Sequence, residues 1–263
     1  MLELKDIPCV ILAGGFGTRL SEETIIKPKP LVEIGQFPII WHIMKLYSYY
    51  GVRKFIISCG YKSNLVKDFF VNYQNYTNDI LIDLQNNSKK IISKKNEDWE
   101  IILSDTGLDT NTGGRILNIK KYLKKNEMFF CTYGDGVSNI NLKKLLNTHL
   151  KHNKIATLSA VKPYGRFGEL KIENSLVKIF KEKINIKPTY INGGFFVFSK
   201  KIFNFIKNKN SSLEEQTLTE LSRNKQLVAF KHDGFWSAMD NVRDMRYLNE
   251  LWNDNKAEWK IWD

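Results

Sequence analysis

Cysteine is scarce in this chain. The three present, Cys9, Cys59 and Cys131, stand far apart inside apolar segments (PCVILAG, FIISCG and FFCTYG). An odd number without a CxxC spacing or flanking histidines excludes a disulfide framework and a cysteine zinc site, and leaves three small buried residues. Histidine is scarce too, and His42, His149, His152 and His232 have no metal-ligand spacing. His42, on an apolar helix face, reads as a packing residue, and His149 and His152 as surface residues of a helix. No Ser-His-Asp arrangement is recognisable, so no covalent intermediate is expected. Apolar runs are short, none near the roughly 20 residues that cross a bilayer. The opening residues Met1 to Asp6 are mixed in charge and lead straight into a strand-like run, unlike a signal peptide. A cytoplasmic protein with no membrane partner is expected.

Arginine is the other shortage. The formal net charge of +12 comes from 33 lysines against 7 arginines, and the lysines are scattered singly or in pairs. Nucleic-acid readers concentrate arginine on one face, so no nucleic-acid partner is expected. The densest lysine group, Lys89, Lys90, Lys94 and Lys95, reads as a solvated loop or hairpin edge, where lysine discourages aggregation.

What the 263 residues do contain is an alternation of short apolar runs with helix-like segments. Strands are expected at Cys9–Ala13, Lys54–Ser58, Ile80–Leu84, Glu100–Ser104, Met128–Thr132 and Ala156–Val161. Helices are expected at Pro38–Tyr50 (stopped by Gly51), Asn64–Tyr73, Arg115–Lys124 and Asn141–Leu150. This is the pattern of βαβ units around a mostly parallel sheet. Further on, Glu169–Ile172, Leu176–Phe180 and Tyr190–Phe198 read as an antiparallel addition. Helices at Lys200–Lys207 and Leu213–Ser222, a strand at Leu227–Phe230 and a helix from Val242 to Asn253 complete the chain. The aromatic Trp252–Trp262 tail reads either as a subunit contact or as a cap on the core. With no linker and no repeat, the fold class is α/β: a Rossmann-like, mostly parallel sheet flanked by helices, with a small antiparallel acceptor-side addition. One domain over 1–263 is expected, its nucleotide-binding part about 1–150 and its acceptor-binding part about 151–263.

The first strand breaks into Gly14-Gly15-Phe16-Gly17-Thr18-Arg19-Leu20. Consecutive glycine amides at the carboxyl end of an α/β strand can cradle phosphate. A dinucleotide GxGxxG would need glycine where Leu20 stands, and a P-loop would need GK followed by Ser or Thr. A tight turn is the alternative, and the cations nearby weigh against it. Arg19 offers a planar fork, and Lys27 and Lys29, spaced by Pro28 and Pro30, sit on what reads as a stiffened strand. Attack at an α-phosphorus accumulates charge that such cations offset. Two more stretches carry chemistry. Asp135, in Tyr133-Gly134-Asp135-Gly136, follows an apolar strand and could approach a phosphate-bound Mg²⁺, with Asp240 as a second carboxylate. Thr112-Gly113-Gly114-Arg115 opens a helix whose amides and arginine can face a ligand, or in which Thr112 is an N-cap.

These stretches, with SEETIIKPKPLVEIG, PIIWHIMKLYSYYG, GRFG, INGGFFVF and GFWSAMD, resemble the sugar-phosphate nucleotidyltransferases. Within that family the chain resembles the bacterial glucose-1-phosphate cytidylyltransferases, from about Val10 to Trp262. The resemblance implies the nucleotide-diphospho-sugar transferase type of fold and transfer of CMP from CTP to a sugar 1-phosphate, with glucose 1-phosphate first in line. The nucleotide sugar formed would serve cell-surface polysaccharide. It implies catalytic roles for Arg19 and Lys29, and a nucleotide site at Leu12, Ala13, Gly14, Gly15, Gly17, Thr18, Thr112, Gly113, Arg115 and Asp135, with Arg115 meeting cytosine O2 and N3. Mg²⁺ would be held by Asp135 and Asp240. An acceptor site is implied at Arg166, Gly168, Glu182, Lys183, Asn192 and Gly193, and a homo-oligomer is expected. The chain departs from the family at Ile184, where proline is usual, and at Asn185-Ile186-Lys187-Pro188. It departs again at Glu214-Glu215-Gln216-Thr217-Leu218 and at Gln36-Phe37-Pro38. Most departures gather toward the acceptor, which leaves three alternatives open. These are a different phosphorylated acceptor, a catalytically silent sugar-nucleotide-binding module and, third, a basic nucleic-acid binder.

Overall fold

The computed structural model describes residues 3–93, 96–163, 169–173, 176–181 and 190–262; for Arg19, Ser21, Glu22, 169–173 and 176–181 it describes the backbone alone. Seven strands form the central sheet: β1 (Cys9–Ala13), β2 (Lys54–Cys59), β3 (Glu100–Asp105), β4 (Met128–Tyr133), β5 (Ala156–Val161), β6 (Ile191–Ser199) and β7 (Leu227–His232). Their order across the sheet is β7-β5-β6-β4-β1-β2-β3. β1 runs parallel to β2 and β4, β2 to β3, and β5 to β7. β6 alone is antiparallel to both its neighbours, β5 and β4.

Helices cover both faces, so the strands are apolar on both sides. Along β1, Cys9, Ile11 and Ala13 enter one core and Val10 and Leu12 the other, the two-residue period of a strand. The first core packs α1 (Ile39–Tyr49) and α4 (Leu142–His152), and the second packs α3 (Thr112–Ile119). Pro38 precedes α1 as its cap, and the helix ends as expected at Gly51. There Val52 N–H reaches Tyr47 O at 3.1 Å and Gly51 N–H reaches Ser48 O at 2.9 Å, with Gly51 left-handed at φ +99°. Those paired bonds are a Schellman ending, in which glycine is favoured because it has no Cβ to clash.

Several elements differ from the sequence reading. The segment at 191–199 does not stand with 169–181 as an antiparallel addition: it is β6, in the middle of the main sheet, and only Glu169–Glu173 and Leu176–Lys181 pair as a separate hairpin. α3 begins at Thr112, three residues before the expected start, and ends in a 3₁₀ turn at Lys120–Leu123. Thr112 is the first helical residue and Asn111 occupies the cap, so Thr112 is not an N-cap. The helix expected at 64–73 breaks at Asn72 into α2 (Ser63–Val71) and a turn at Tyr73–Thr77. Lys200–Asn204 is a single 3₁₀ stretch, and Leu213–Leu218 is a π-turn that leads into Thr219–Arg223. Lys29–Leu31 is one 3₁₀ turn, not a strand, because Pro28 caps it in extended backbone and Pro30 takes an early helical position.

His149 is a correction as well. It is 3% exposed, and its Nδ1 lies 3.0 Å from the Thr157 hydroxyl. It falls seven residues after Leu142, on the face that Leu145 and Leu146 also bury. Burial pushes its pKa down to about 4. His42 is buried as expected, with Nε2 2.9 Å from Ile34 O and a pKa lowered to about 4 by burial. Trp259 and Trp262 close the core around it, so in this chain the C-terminal tail caps the core. Lys89 and Lys90 are exposed on a short hairpin formed by Ile80–Asp83 and Ser88–Ile91. All three cysteines are buried and unpaired. Among the described residues, no helix is long and apolar enough to cross a membrane.

Candidate active site

Two clefts open at the carboxyl ends of β1 and β4, where ligands bind in open α/β sheets. The larger, of about 640 Å³, is walled by residues 12–18, Lys29, Pro30, 108–112, Arg115, Tyr133, Gly134, Asp135 and Asp240. The smaller, of about 450 Å³, is lined by Tyr133, Asn192, Gly193, Glu214 and Trp236 among others. Tyr133, Asp135 and Asp240 belong to both. Both volumes are in the range of small-molecule sites.

The glycine-rich loop leaves β1 and is tied down at its ends. Gly14 O accepts from Tyr61 N–H at 3.1 Å, and Gly17 O accepts from Leu20 N–H at 2.9 Å and from the Thr24 hydroxyl at 3.1 Å. The amides of Gly15, Phe16 and Gly17 have no acceptor among the described residues. At φ +66°, Gly17 holds a turn in which a Cβ would meet Thr24 Cγ2 at 2.8 Å.

Arg115 lies underneath this loop. It is 4% exposed; Nη1 donates to Thr106 Oγ1 (2.7 Å), Gly107 O (2.8 Å) and Cys59 O (3.3 Å), and Nη2 to Gly14 O (2.9 Å) and Leu108 O (3.2 Å). Its terminal N–H groups are thus spent on joining the glycine loop to 106–108, the opposite wall of the cleft. A Cβ on Gly14 or Gly60 would collide with the guanidinium. Burial lowers the Arg115 pKa, against the Asp105 carboxylate, which raises it. Gly113 does not line the cleft: it packs against the 211–213 backbone, where a Cβ would stand 2.7 Å from Ser211 O.

The two carboxylates meet through a ladder that sequence patterning did not reveal. Gly136–Ser138 pairs antiparallel with Trp236–Ala238, and Met239 N–H donates to Asp135 O at 2.8 Å. Asp240 is then braced by the start of α5 (Val242–Asn253): its N–H donates to Asp244 Oδ2 at 3.0 Å, while Asn241 Oδ1 caps the helix at Asp244 N–H, also 3.0 Å. The Lys29 ammonium sits between the carboxylates, 2.6 Å from Asp135 Oδ2 and 2.9 Å from Asp240 Oδ1. Burial alone would lower the Lys29 pKa, but the two carboxylates outweigh it and hold the pKa above the ordinary value. A pair of oxygens that holds one cation across the mouth of both clefts has the donor chemistry of a Mg²⁺ site.

Leu12, Ala13, Gly14, Gly15, Gly17, Thr18, Thr112, Arg115 and Asp135 therefore come together around the larger cleft with Lys29. Asn192 and Gly193 line the smaller. The side chain of Arg19, and Arg166, Gly168, Glu182 and Lys183 altogether, lie outside the described residues. Sequence reasoning missed Tyr133, Glu214 and Trp236. Tyr133 had a signal, as a hydroxyl-bearing aromatic that ends an apolar strand just before Asp135. Trp236 donates to Gly193 O at 2.7 Å, and Tyr133 to Glu214 Oε1 at 2.6 Å.

An α/β sheet with two clefts sharing one carboxylate pair is the architecture of a two-substrate transferase. A family model described as nucleotidyl transferase matches residues 9–254, and the chain belongs to that family. It is 46% identical to the glucose-1-phosphate cytidylyltransferase of Salmonella typhi over 97% of this chain and 99% of that protein. A probable glucose-1-phosphate cytidylyltransferase of Bacillus subtilis is 41% identical, over 96% and 99%. Among solved structures, a UDP-glucose pyrophosphorylase complexed with UDP-glucose has the same fold at 17% identity, with a TM-score of 0.66 over 95% of this chain and 99% of that one.

Proposed function

We propose that this chain transfers CMP from CTP to glucose 1-phosphate, giving CDP-glucose and pyrophosphate. The observation that carries it is the pair of clefts sharing Asp135 and Asp240, since in-line transfer needs donor and acceptor on opposite sides of one phosphorus. The cytidylyltransferase names of relatives 41% and 46% identical over nearly the full chain support the choice of substrates.

In this reading the larger cleft takes the nucleotide, with phosphates against the amides of residues 15–17 and the base beside Thr112. Arg115 holds the walls of that cleft together, and contact with the cytosine ring requires it to release a carbonyl. The smaller cleft takes the sugar phosphate, with Asn192 on a hydroxyl and Arg166, Glu182 and Lys183 completing the site. Asp135 and Asp240 would hold Mg²⁺, which when bound offsets charge on the phosphates. A phosphate monoester is already largely dianionic at neutral pH (second pKa ~6), so its oxygen attacks the α-phosphorus without a general base. The bond from the α-phosphorus to the bridging oxygen breaks and pyrophosphate leaves. Lys29 and Arg19 stabilise the charge this builds, and catalysis is positioning and electrostatics. The cytoplasm, where nucleoside triphosphates are made, is the place of action in this reading, and a homo-oligomer is part of it, checked by light scattering.

Pyrophosphate release is the test, with CTP and the other nucleoside triphosphates against a panel of phosphorylated acceptors. Turnover with CTP and glucose 1-phosphate is expected. Turnover only with another acceptor selects a different cytidylyltransferase, and CTP binding without any release selects a silent binding module.

A further inference from the structure

Glu214 stands at the start of the Leu213–Leu218 π-turn, a wide turn of a kind that concentrates at functional sites. Its two carboxylate oxygens serve different clefts. Oε2 accepts from the Thr112 hydroxyl at 2.6 Å and from the Ser212 hydroxyl at 3.2 Å, and Thr112 lines the larger cleft. Oε1 accepts from the Tyr133 hydroxyl at 2.6 Å, and the Tyr133 oxygen in turn accepts from Asn192 Nδ2 at 3.3 Å. Asn192 lines the smaller cleft, and its Oδ1 is held by Gly194 N–H at 2.9 Å. Four side chains thus form one relay, Thr112–Glu214–Tyr133–Asn192, from one cleft to the other.

The direction of the relay follows from its centre. A carboxylate can only accept, so Thr112 and Tyr133 must both donate to it. Tyr133 is then left with lone pairs to offer, and Asn192 must turn its amide nitrogen toward them. Leu213 N–H, 2.9 Å from Thr112 Oγ1, occupies the acceptor side of that hydroxyl and leaves its hydrogen for Glu214. Gly194, left-handed at φ +78°, gives the Tyr133 ring the room it needs, because a Cβ there would press on the ring.

We propose that Glu214 is a positioning residue that couples the two clefts. Held at Oε2 by the nucleotide-side hydroxyl of Thr112, it fixes the Tyr133 hydroxyl and, through it, the Asn192 amide that receives the acceptor. This rests on reading the smaller cleft as the acceptor site. The consequence is an effect across the relay: Thr112 does not line the acceptor cleft, yet its hydroxyl governs how well that cleft binds.

The test is a double-mutant cycle on the full chain, read as the KM of whichever sugar phosphate the wild type uses at saturating CTP. Thr112→Val is expected to raise the acceptor KM roughly tenfold, within the span of coupling inside one hydrogen-bonded network. Tyr133→Phe should do the same. In a Glu214→Ala background, Thr112→Val should produce no further change, because its only route to Asn192 is gone. A merely local disturbance by Thr112→Val would persist in both backgrounds. An unchanged acceptor KM in Thr112→Val, or an equal shift with and without Glu214, overturns the proposal while wild-type turnover stands. A wild type silent with every nucleotide and acceptor overturns the underlying reading and this one together. Should Glu214→Ala fail to fold, the isosteric Glu214→Gln serves as the background.

Discussion

The wall of the larger cleft is mostly main chain: glycine amides of residues 14–17, the carbonyls of Gly14, Gly107 and Leu108, and one buried guanidinium joining them. The wall of the smaller cleft is mostly side chain, with Tyr133, Asn192, Glu214 and Trp236 arriving from four separate elements. Between them runs a seam of charge, Lys29 with Asp135 and Asp240. A main-chain wall is built from a few contiguous residues and can be altered only by changing what supports it. A side-chain wall can be re-specified one residue at a time. That difference fits a nucleotide side that stays constant and an acceptor side that varies.

The comparison can be broken most severely at the seam. Asp240→Asn and Lys29→Ala should each lower kcat by roughly 10²–10³-fold, as removal of a pre-organised charge does elsewhere, with smaller changes in either KM. Steady-state kinetics checks this, and a variant with normal turnover removes that residue from the chemistry. Next comes the support of the main-chain wall. Arg115→Met strands the carbonyls of Cys59, Gly14, Gly107 and Leu108, and should lower unfolding stability in urea by roughly 3–5 kcal/mol. The CTP KM should rise with it while the acceptor KM moves less; equal rises would dissolve the distinction between the two walls.

The smallest effect belongs to the scaffold beneath both clefts. Burial lowers the His149 pKa to about 4 from an ordinary value of 6.5, so the folded state keeps it neutral. Its contribution is fully present above pH 6.5 and is lost as pH falls toward 4, because the unfolded chain takes up the proton first. Between pH 7.5 and 5 this amounts to roughly 1–2 kcal/mol. His149→Asn should flatten the pH dependence of the urea midpoint by that amount and leave kcat at pH 7.5 unchanged; an unaltered slope would show that His149 is protonated without cost.

How much of this was legible in the sequence follows the same division. β1 and β5, helix α5 and the glycine loop were read at their observed bounds because hydrophobic period, capping Asn241 and glycine spacing are local signals. Asp135 and Asp240 were singled out through resemblance, but the ladder that joins them is three residues long on each side and leaves no periodic trace. Glu214 lay in a string noted only for departing from its family, since hydrogen bonds to Thr112 and Tyr133 span 102 and 81 positions. Gly113 and Gly114 looked like ligand-facing glycines, whereas they let α3 approach the backbone at 209–213. A glycine declares close approach without declaring what approaches.

The ladder between 136–138 and 236–238 also bears on biosynthesis. Lys29 precedes Asp135 by 106 positions and Asp240 by 211, and Asp240 is braced by α5, the last helix before the tail. During translation the glycine loop and first carboxylate leave the ribosome long before their partner exists. A nascent or truncated chain ending before residue 236 lacks the second carboxylate and the strand that carries it. The charged seam therefore closes only when the polypeptide is nearly finished, and an unfinished copy is inert toward the triphosphates around it.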